Sequence, residues 1–372
     1  MSIYQIYNKK IKYNHIHNKL YYPVIYTMSN HVAFLRSQNH KTLMYIYEQN
    51  IKNHIIPISV IDSKPSTNKL KIVLYMPPPS VDCGGIMVMH NLAKSIINLN
   101  NSNIEVYIYY YDHRVYNNEF CNNFFNPFNM DDNTLVIYPE TIIGNPLNAK
   151  YVARWILLEL GLDVGADQYK NWNPNDIVYH WEPSQLKNTK QLVDIWINPI
   201  ITRYNYNKRY NTCYGIKKMQ WIPQALHPKG LTKYHDNSTI NIDIMSIDGV
   251  IKTFNESIAF YCYDPNTFYS VMAPLCGCIT VLHPLHNIDK KNFFKSRILY
   301  HKDTNFYFDS GIAYGNSKSE IKNAFKTVDS ATEKFIHLVE LYRDTVRNFV
   351  EDSIKLVSGE QLNNTVDTIY NV

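Results

Sequence analysis

Residues 260–284 of the chain read FYCYDPNTFYSVMAPLCGCITVLHP. The aromatic and apolar run at 260–263 is typical of a buried strand, and the residues at 264–267 are typical of a turn that caps a helix. Gly277 suits the C-terminus of that short helix, and a second strand is predicted to begin at residue 279. The unpaired N–H groups at the start of such a helix carry a partial positive charge, so this stretch predicts a seat for a phosphate group.

The sequence before this stretch alternates between short apolar runs and amphipathic segments. Strands are predicted at 71–76, 104–111, 134–138, 176–181 and 193–197, and helices at 86–99 and 147–160. Such alternation is typical of a parallel sheet with helical crossovers, in which ligands bind beyond the carboxyl ends of the strands. Gly84 and Gly85 lie in the loop after the first of these strands, where a missing side chain lets the backbone approach a ligand closely.

The same pattern divides the 372 residues into four parts. They are an N-terminal extension (1–68), two Rossmann-like α/β domains (69–205 and 206–330), and a C-terminal helix and tail (331–372). Within the second domain the residues at 228–250 are polar and rich in turn formers. Ser317 and Glu320 form a capping box that predicts a helix from residue 321, and an apolar stripe predicts one long helix over Ala331–Val357.

Composition narrows the class of protein. Hydrophobic residues make up 45% of the chain, which is typical of a globular protein, and the net charge is only +5. Because no long run of like charges and no known nucleic-acid motif occurs, nucleic-acid binding is not expected. No signal peptide and no apolar window of about 18 residues is found, which leaves peripheral membrane contact possible. The six cysteines form no CxxC pair, so we expect no metal site, reduced thiols and a cytoplasmic location.

The segment from Asp264 to Cys278 resembles the nucleotide-sugar motif of GT-B glycosyltransferases in the style of glycosyltransferase family four. In both, an acidic residue precedes a turn, and a short helix ends in Ala-x-x-Cys-Gly-Cys before a strand. The pair Gly84-Gly85 is similar to the N-terminal glycine loop of these enzymes. Residues 138–155 resemble a stretch found in a bacterial and viral surface-glycan branch of the group.

This resemblance implies a GT-B fold, in which two Rossmann-like domains face each other across a cleft. It implies a glycosyltransferase that moves a sugar from a nucleotide-diphosphate sugar to a glycan, lipid-linked or protein acceptor, with retention of anomeric configuration. No metal or other cofactor is implied, because such enzymes neutralise the leaving diphosphate with basic side chains and helix N-termini.

The resemblance also assigns the site residues. Those acting at the reacting sugar and its diphosphate would be Asp264, Lys217 and Lys218, with Arg209 as a second choice for the basic clamp. The donor would contact Gly84, Gly85, Tyr263, Asn266, Thr267 and Phe268. The acceptor side of the cleft would be lined by Glu140, Asn145 and Arg154. Several assignments have a structural alternative. Lys217 and Lys218 would then be solvated surface lysines, and Asp264 and its neighbours would be a turn and a helix cap. Arg154 would form an ion pair with Glu159 or another neighbour.

Two residues depart from the pattern of the family. Met272 stands where the family has a second glutamate that holds the ribose hydroxyls, and a thioether is a poor acceptor for those hydrogen bonds. Pro274 lies inside the short helix, where it is expected to kink the helix. These departures motivate an alternative function, a degenerate module that binds a nucleotide or glycan without turnover. An epimerase of the nucleotide sugar is a third hypothesis.

Overall fold

The computed structural model describes residues 55–57, 69–80, 83–112, 114–116, 120–195, 199–216, 234–264 and 267–370. Most of the predicted N-terminal extension therefore lies outside the described residues. Three of the predicted site residues, Lys217, Lys218 and Asn266, also lie outside them.

The elements are numbered here in chain order. The described strands are β1 (Ile55–Pro57), β2 (Leu70–Met76), β3 (Ile104–Tyr110), β4 (Arg114–Tyr116), β5 (Thr134–Pro139), β6 (Tyr151–Ile156), β7 (Ile177–His180), β8 (Lys190–Gln191), β9 (Asn211–Gly215), β10 (Ile240–Asn241), β11 (Ser257–Cys262), β12 (Ile279–Leu282), β13 (Tyr300–His301), β14 (Phe306–Tyr307) and β15 (Ile312–Tyr314). The described α-helices are α1 (Gly84–Asn98), α2 (Ile247–Glu256), α3 (Tyr269–Leu275), α4 (Lys290–Lys295), α5 (Lys318–Thr327), α6 (Ala331–Val357) and α7 (Val366–Tyr370). Among them, none is long and apolar enough to cross a membrane.

The first sheet has the strand order β3-β2-β5-β6-β7-β8, and all neighbouring strands in it are parallel. Helix α1 connects β2 to β3 and buries Met89, Leu92 and Ile96 in the core of this sheet. Every residue of β2 and β5 is buried, as expected when both faces of a parallel sheet are covered. The predicted βαβ unit and the α/β fold class are confirmed.

Two predictions in this region are wrong. The segment at 147–160 was expected to be a helix, yet it contains strand β6, and residues 193–195 form no strand. In β6 the side chains of Arg154 and Trp155, which project from opposite faces, are both buried. A strand that is buried on both faces shows no alternation of polar and apolar residues, and a short apolar run does not distinguish a strand from a buried helix.

The second sheet has the strand order β10-β9-β11-β12-β15 and is also parallel throughout. Helix α2 precedes β11, α3 connects β11 to β12, and α5 follows β15, so this half is a second Rossmann-like unit. The sequence did not predict α2, because Ser246 and Gly249 resemble turn residues. In the structure Ser246 is the N-cap, and its hydroxyl accepts a hydrogen bond from the N–H of Gly249 at 3.4 Å.

Helix α6 packs on both halves of the molecule. Its N-terminal part places Phe335 and Leu338 in the core of the second sheet, whereas Phe349 and Val350 lie in the core of the first. The bounds of this helix were predicted from its apolar stripe and are confirmed.

Of the two residues of the predicted capping box before α5, Ser317 caps the helix as predicted and Glu320 has other partners. The hydroxyl of Ser317 accepts from the N–H of Glu320 at 3.3 Å, and the helix begins at the next residue. The carboxylate of Glu320, however, accepts from the N–H of Tyr314 at 3.0 Å and pairs with Lys290 at 3.0 Å. Glu320 therefore ties the end of β15 to α4.

Candidate functional site

The carboxyl ends of four strands lie side by side in the second sheet. Cys262 is in register with Gly215 on one side and with Leu282 on the other, and Leu282 is in register with Tyr314. The residues that follow these strand ends therefore form one edge of the sheet. In open α/β sheets this is the edge at which ligands bind.

The stretch that opens at Asp264 leaves this edge and forms the predicted turn, short helix and strand. Asp264 follows β11 and is only 4% exposed. The backbone carbonyl of Asp264 accepts from the thiol of Cys262 at 3.0 Å and from the N–H of Thr267 at 3.4 Å. The hydroxyl of Thr267 accepts from the N–H of Tyr269 at 3.3 Å and so occupies one N–H of the first turn of α3. Asp264 and Thr267 thus lie together at the ligand edge, as predicted.

Phe268 lies at the same point but its ring faces inward. The ring contacts Phe335 of α6 with a centroid distance of 5.9 Å. That the N–H group of Phe268 contacts a donor phosphate stays a prediction.

The short helix α3 ends in the way its sequence predicts. The N–H of Cys278 donates to the carbonyl of Ala273 at 2.9 Å and the N–H of Gly277 donates to that of Pro274 at 2.9 Å, which together are a Schellman motif. Gly277 has a φ of +81°, a conformation that glycine adopts without strain.

Pro274 is accommodated in the last turn of α3. A proline at this position leaves the carbonyl of Ser270 without its helical N–H donor. The hydroxyl of Thr280, in strand β12, donates to that carbonyl at 2.8 Å instead.

The side chain of Tyr263 is buried at the end of β11. It is 3% exposed, and its hydroxyl accepts from the N–H of Tyr234 at 2.7 Å and shares a hydrogen bond with Nδ1 of His235 at 2.8 Å. The His235 ring also stacks on Tyr214 with a centroid distance of 3.9 Å. The hydroxyl of Tyr263 therefore holds the 234–235 segment to the end of β11, and the predicted contact of Tyr263 with the donor stays a prediction.

Gly84 and Gly85 lie at the carboxyl end of β2, as predicted, but not in a loop. They are the first two residues of α1, and the side chain of the N-cap residue Cys83 makes no capping hydrogen bond. A Cβ at Gly84 would meet open space, and one at Gly85 would lie 3.7 Å from Cδ1 of Leu157. The N-terminus of α1 therefore faces the strand ends of the first sheet, and its role toward a ligand stays a prediction.

The three residues predicted to line the acceptor side all make hydrogen bonds within the first domain. The Glu140 carboxylate is 5% exposed and accepts from the N–H groups of Leu157 at 3.0 Å and Leu158 at 3.3 Å. Burial raises the pKa of Glu140, and these N–H groups oppose the rise. The Asn145 side chain is bonded to the backbone of Ala149 in both directions, with distances of 2.8 and 3.1 Å.

Arg154 is the clearest correction among these residues. Its side chain is 1% exposed, and the guanidinium binds the Asp176 carboxylate at 2.8 Å and the carbonyl of Gly144 at 2.6 Å. The ion-pair interpretation was right, although the partner is Asp176 and not Glu159. An arginine that is buried and paired in this way cannot line a cleft.

Arg209, the second choice for the diphosphate clamp, is also structural. It is 2% exposed and donates to the carbonyls of Asn205, Phe254, Ser257 and Cys276 at 2.7–3.2 Å. Two of these carbonyls belong to the ends of α2 and α3, where a cation interacts favourably with the helix dipoles. The predicted clamp role of Arg209 is therefore wrong.

Three charged residues lie where the two domains meet. Glu159 and Glu182 follow the carboxyl ends of β6 and β7, and Arg297 follows α4 in the second domain. Glu182 accepts from the N–H of Ile298 across the interface at 2.5 Å. No motif in the sequence surrounds Arg297, so the sequence does not single this residue out.

A metal centre is not assembled by the residues that the structure describes. None of their His, Cys, Asp and Glu side chains form a group of three or more that could hold a metal ion. The six cysteines are free thiols, and Cys83 is the exposed one among them.

Comparisons with known proteins give fold-level likenesses only. No known family matches the chain, and no curated protein is similar to it. Among solved structures, MurG from Acinetobacter baumannii is 12% identical, with a TM-score of 0.26 over 82% of this chain and 100% of that chain. A putative UDP-N-acetylglucosamine 2-epimerase from Listeria monocytogenes is 7% identical, with a TM-score of 0.33 over 79% and 98%. The forosaminyltransferase SpnP is 9% identical, with a TM-score of 0.31 over 78% and 99%. The fold assignment therefore rests on the strand order and register of the two sheets.

Proposed function

We propose that the protein is a glycosyltransferase that moves a sugar from a nucleotide-diphosphate sugar to a hydroxyl group of an acceptor. One observation carries this proposal. The segment from Asp264 to Cys278, which resembles the nucleotide-sugar motif, starts at the carboxyl edge of the second sheet, where β11 ends, and leads through helix α3 to strand β12. That edge is where such sheets bind ligands, and a second parallel sheet meets it at Glu182 and Ile298.

In this proposal the donor binds to the second domain. Asp264 lies beside the reacting sugar, and the backbone of the turn at 264–268 approaches the diphosphate. Lys217 and Lys218 follow β9 closely in the sequence, and in this proposal they bind the diphosphate. Their charges would stabilise the diphosphate as it leaves, without a metal ion.

The acceptor is proposed to be a glycan, a lipid-linked sugar or a protein, and to bind on the side of the first domain. The transfer is proposed to retain the anomeric configuration of the sugar. A cytoplasmic location with peripheral membrane contact belongs to the same proposal. The N-terminus of α1 at Gly84 and Gly85 is the part of the first domain that we propose to face the donor.

A binding module is the second candidate, because of the position of Met272. Its side chain is 3% exposed and packs in the core of the second sheet. A buried thioether does not bind a ribose hydroxyl. The donor would therefore lack the hydrogen bonds that the second glutamate of the family makes to the ribose.

The test uses the full chain, a panel of nucleotide sugars and candidate acceptors. A transferase releases nucleoside diphosphate steadily when an acceptor is present, an epimerase converts the donor with no acceptor, and a binding module binds without turnover. Asp264→Asn and the double change of Lys217 and Lys218 to alanine are expected to lower kcat about 100-fold or more. Asp303→Asn and Lys322→Ala, both at exposed residues outside the segments assigned to the donor, are the matched controls.

The stereochemistry is read separately from the anomeric proton of the product by NMR. A product of inverted configuration would refute retention while leaving transfer intact. Failure to bind any nucleotide sugar would refute both the transferase and the nucleotide-binding module.

A further inference from the structure

Arg297 lies where the two domains meet, next to Ile298, whose N–H donates to Glu182 of the first domain. On the side of the second sheet it lies close to Tyr314, at the end of β15: burial raises the pKa of Tyr314, and the charge of Arg297 opposes the rise. On the side of the first sheet its charge likewise opposes the effect of burial on Glu159 and Glu182. The positive charge of Arg297 therefore acts on residues of both domains.

Glu182 makes a direct polar contact between the two domains. Its carboxylate accepts from the N–H of Ile298, which is 116 residues away in sequence, at 2.5 Å. The neighbouring Trp181 packs against the hydrophobic cores of both sheets. The segment after β7 is thus held to the segment after α4 by one charge-assisted hydrogen bond and by apolar contact.

The guanidinium of Arg297 is not committed to any single partner. Its Nε is buried and has no hydrogen-bond partner among the described residues. Its planar face lies over the ring of Phe293, with 5.4 Å between Cζ and the ring centroid. Glu159 and Glu182 attract it without forming a direct ion pair, so a single positive charge is shared by two carboxylates.

We propose that Arg297, Glu159 and Glu182 form an interdomain latch that fixes the separation of the two carboxyl edges. Arg297 is the positioning residue of this latch, because it is the cation that keeps two carboxylates of the first domain beside the second. Without it the carboxylates repel each other and Glu182 is the single polar link that remains in this group. The latch concerns the geometry of the interface and does not depend on the proposed glycosyl transfer.

The latch responds to pH in a direction that can be worked out. Glu182 faces Arg297, Glu159, the hydroxyl of Tyr342 and the N–H of Ile298. Burial raises the pKa of Glu182 to about 6, so the latched state binds the proton more tightly than an open state with the ordinary pKa of 4.5. The latched state is therefore favoured as the pH falls from about 6 to 4.5, and this contribution is lost as the pH rises through 6.

The experiment measures the distance between the domains in the ligand-free full chain. Spin labels on cysteines introduced at Phe128 and Ile244, which are 94% and 89% exposed and lie in different domains, report that distance by double electron–electron resonance. Cys83→Ser removes the exposed native thiol, and the other five cysteines are buried.

Arg297→Ala is expected to raise the population of longer distances about tenfold at pH 7.5, which corresponds to about 1.4 kcal/mol. Arg297→Lys, which keeps the charge, should restore most of the short-distance population. Glu182→Gln keeps an acceptor for the N–H of Ile298 without a charge, so it should remove most of the change in distance between pH 4.5 and 7.5 and leave the part that comes from Glu159, whose pKa burial also raises. Arg343→Ala, which removes an exposed arginine paired with Glu340, is the matched control and should change nothing.

Unchanged distances in Arg297→Ala, with circular dichroism showing a folded protein, would overturn the proposal. An equal shift in Arg343→Ala would overturn it too, because the effect would then follow from the loss of any arginine. If Arg297→Ala does not fold, Glu182→Gln decides: a pH dependence equal to that of the wild type in this variant would contradict the latch.

Discussion

Replacing Thr280 by valine removes the hydroxyl that donates to the carbonyl of Ser270 in helix α3. Pro274 cannot supply the helical N–H for this carbonyl, and Thr280, which is 0% exposed, supplies a hydrogen bond of 2.8 Å in its place. Valine has nearly the same shape, so the change removes the hydrogen bond while the packing of β12 is kept. The perturbation therefore isolates one donor.

The magnitude follows from what the carbonyl loses and what the new methyl gains. A buried carbonyl left without a donor costs about 1–3 kcal/mol. The buried methyl of valine returns up to about 0.8 kcal/mol. We therefore expect Thr280→Val to lower the free energy of unfolding by about 1–2 kcal/mol.

A second substitution tests the reason for the loss. In Pro274→Ala, the N–H of the new alanine can donate to the Ser270 carbonyl within the helix, so the hydroxyl of Thr280 becomes redundant. Thr280→Val in that background should cost less than about 0.5 kcal/mol, which gives a coupling free energy of about 1 kcal/mol in the double-mutant cycle.

Urea denaturation followed by tryptophan fluorescence and circular dichroism measures the four unfolding free energies, with the m-values compared first. Thr253→Val is the matched control, because the hydroxyl of Thr253 donates only to the thioether of Met245 at 3.4 Å. An equal loss in Thr253→Val and Thr280→Val, or an undiminished loss in the Pro274→Ala background, would refute the reasoning.

Three further predictions concern stability. Gly277→Ala should lower the free energy of unfolding by about 2 kcal/mol or more. The new Cβ would lie 2.7 Å from Cδ of Arg203, and the backbone has a φ of +81°. A loss of less than about 0.5 kcal/mol in a denaturation experiment would contradict this prediction. Asp176→Asn should lower the free energy of unfolding by about 3–5 kcal/mol, because it leaves the Arg154 guanidinium buried without a counter-charge. An unchanged denaturation midpoint would contradict this prediction. Burial lowers the pKa of His90 to about 4 from 6.5, so the unfolded state binds one more proton between these values and stability falls as the pH falls through them. His90→Gln should remove up to about 3 kcal/mol of that pH dependence, and parallel stability–pH curves for the two proteins would show the prediction to be wrong.

Much of the second domain could be predicted because its signals are local. The turn after Cys262, the glycine that ends α3 and the strand that follows it depend on backbone preferences of a few adjacent residues. The N-cap at Ser317 and the apolar stripe of α6 are equally local, and both are confirmed. For these elements the local sequence is enough to predict the cap or the end, although α5 begins at Lys318 rather than at the predicted residue 321.

The candidate site was predicted less well, because its side chains take partners from distant parts of the chain. Tyr263 had the residue type of a ligand contact, and its hydroxyl is bonded to residues 28 and 29 positions away. Glu140 matched a motif, yet its carboxylate satisfies N–H groups that β6 leaves free at its end. Whether a polar side chain faces a cleft or closes a network is decided by which backbone groups arrive beside it.

By itself the sequence determined the α/β class, the βαβ unit around α1, and the turn, helix and strand at 264–282. Only the tertiary structure decided that 151–156 is a strand, that Arg154 pairs with Asp176, and that Arg297 lies where the two domains meet. The physical reason is that hydrogen bonds within a helix, a cap or a turn join residues a few positions apart, so local composition specifies them. Burial and charge pairing depend on contacts between segments that only the folded chain brings together, such as the bond from Ile298 to Glu182 over 116 positions.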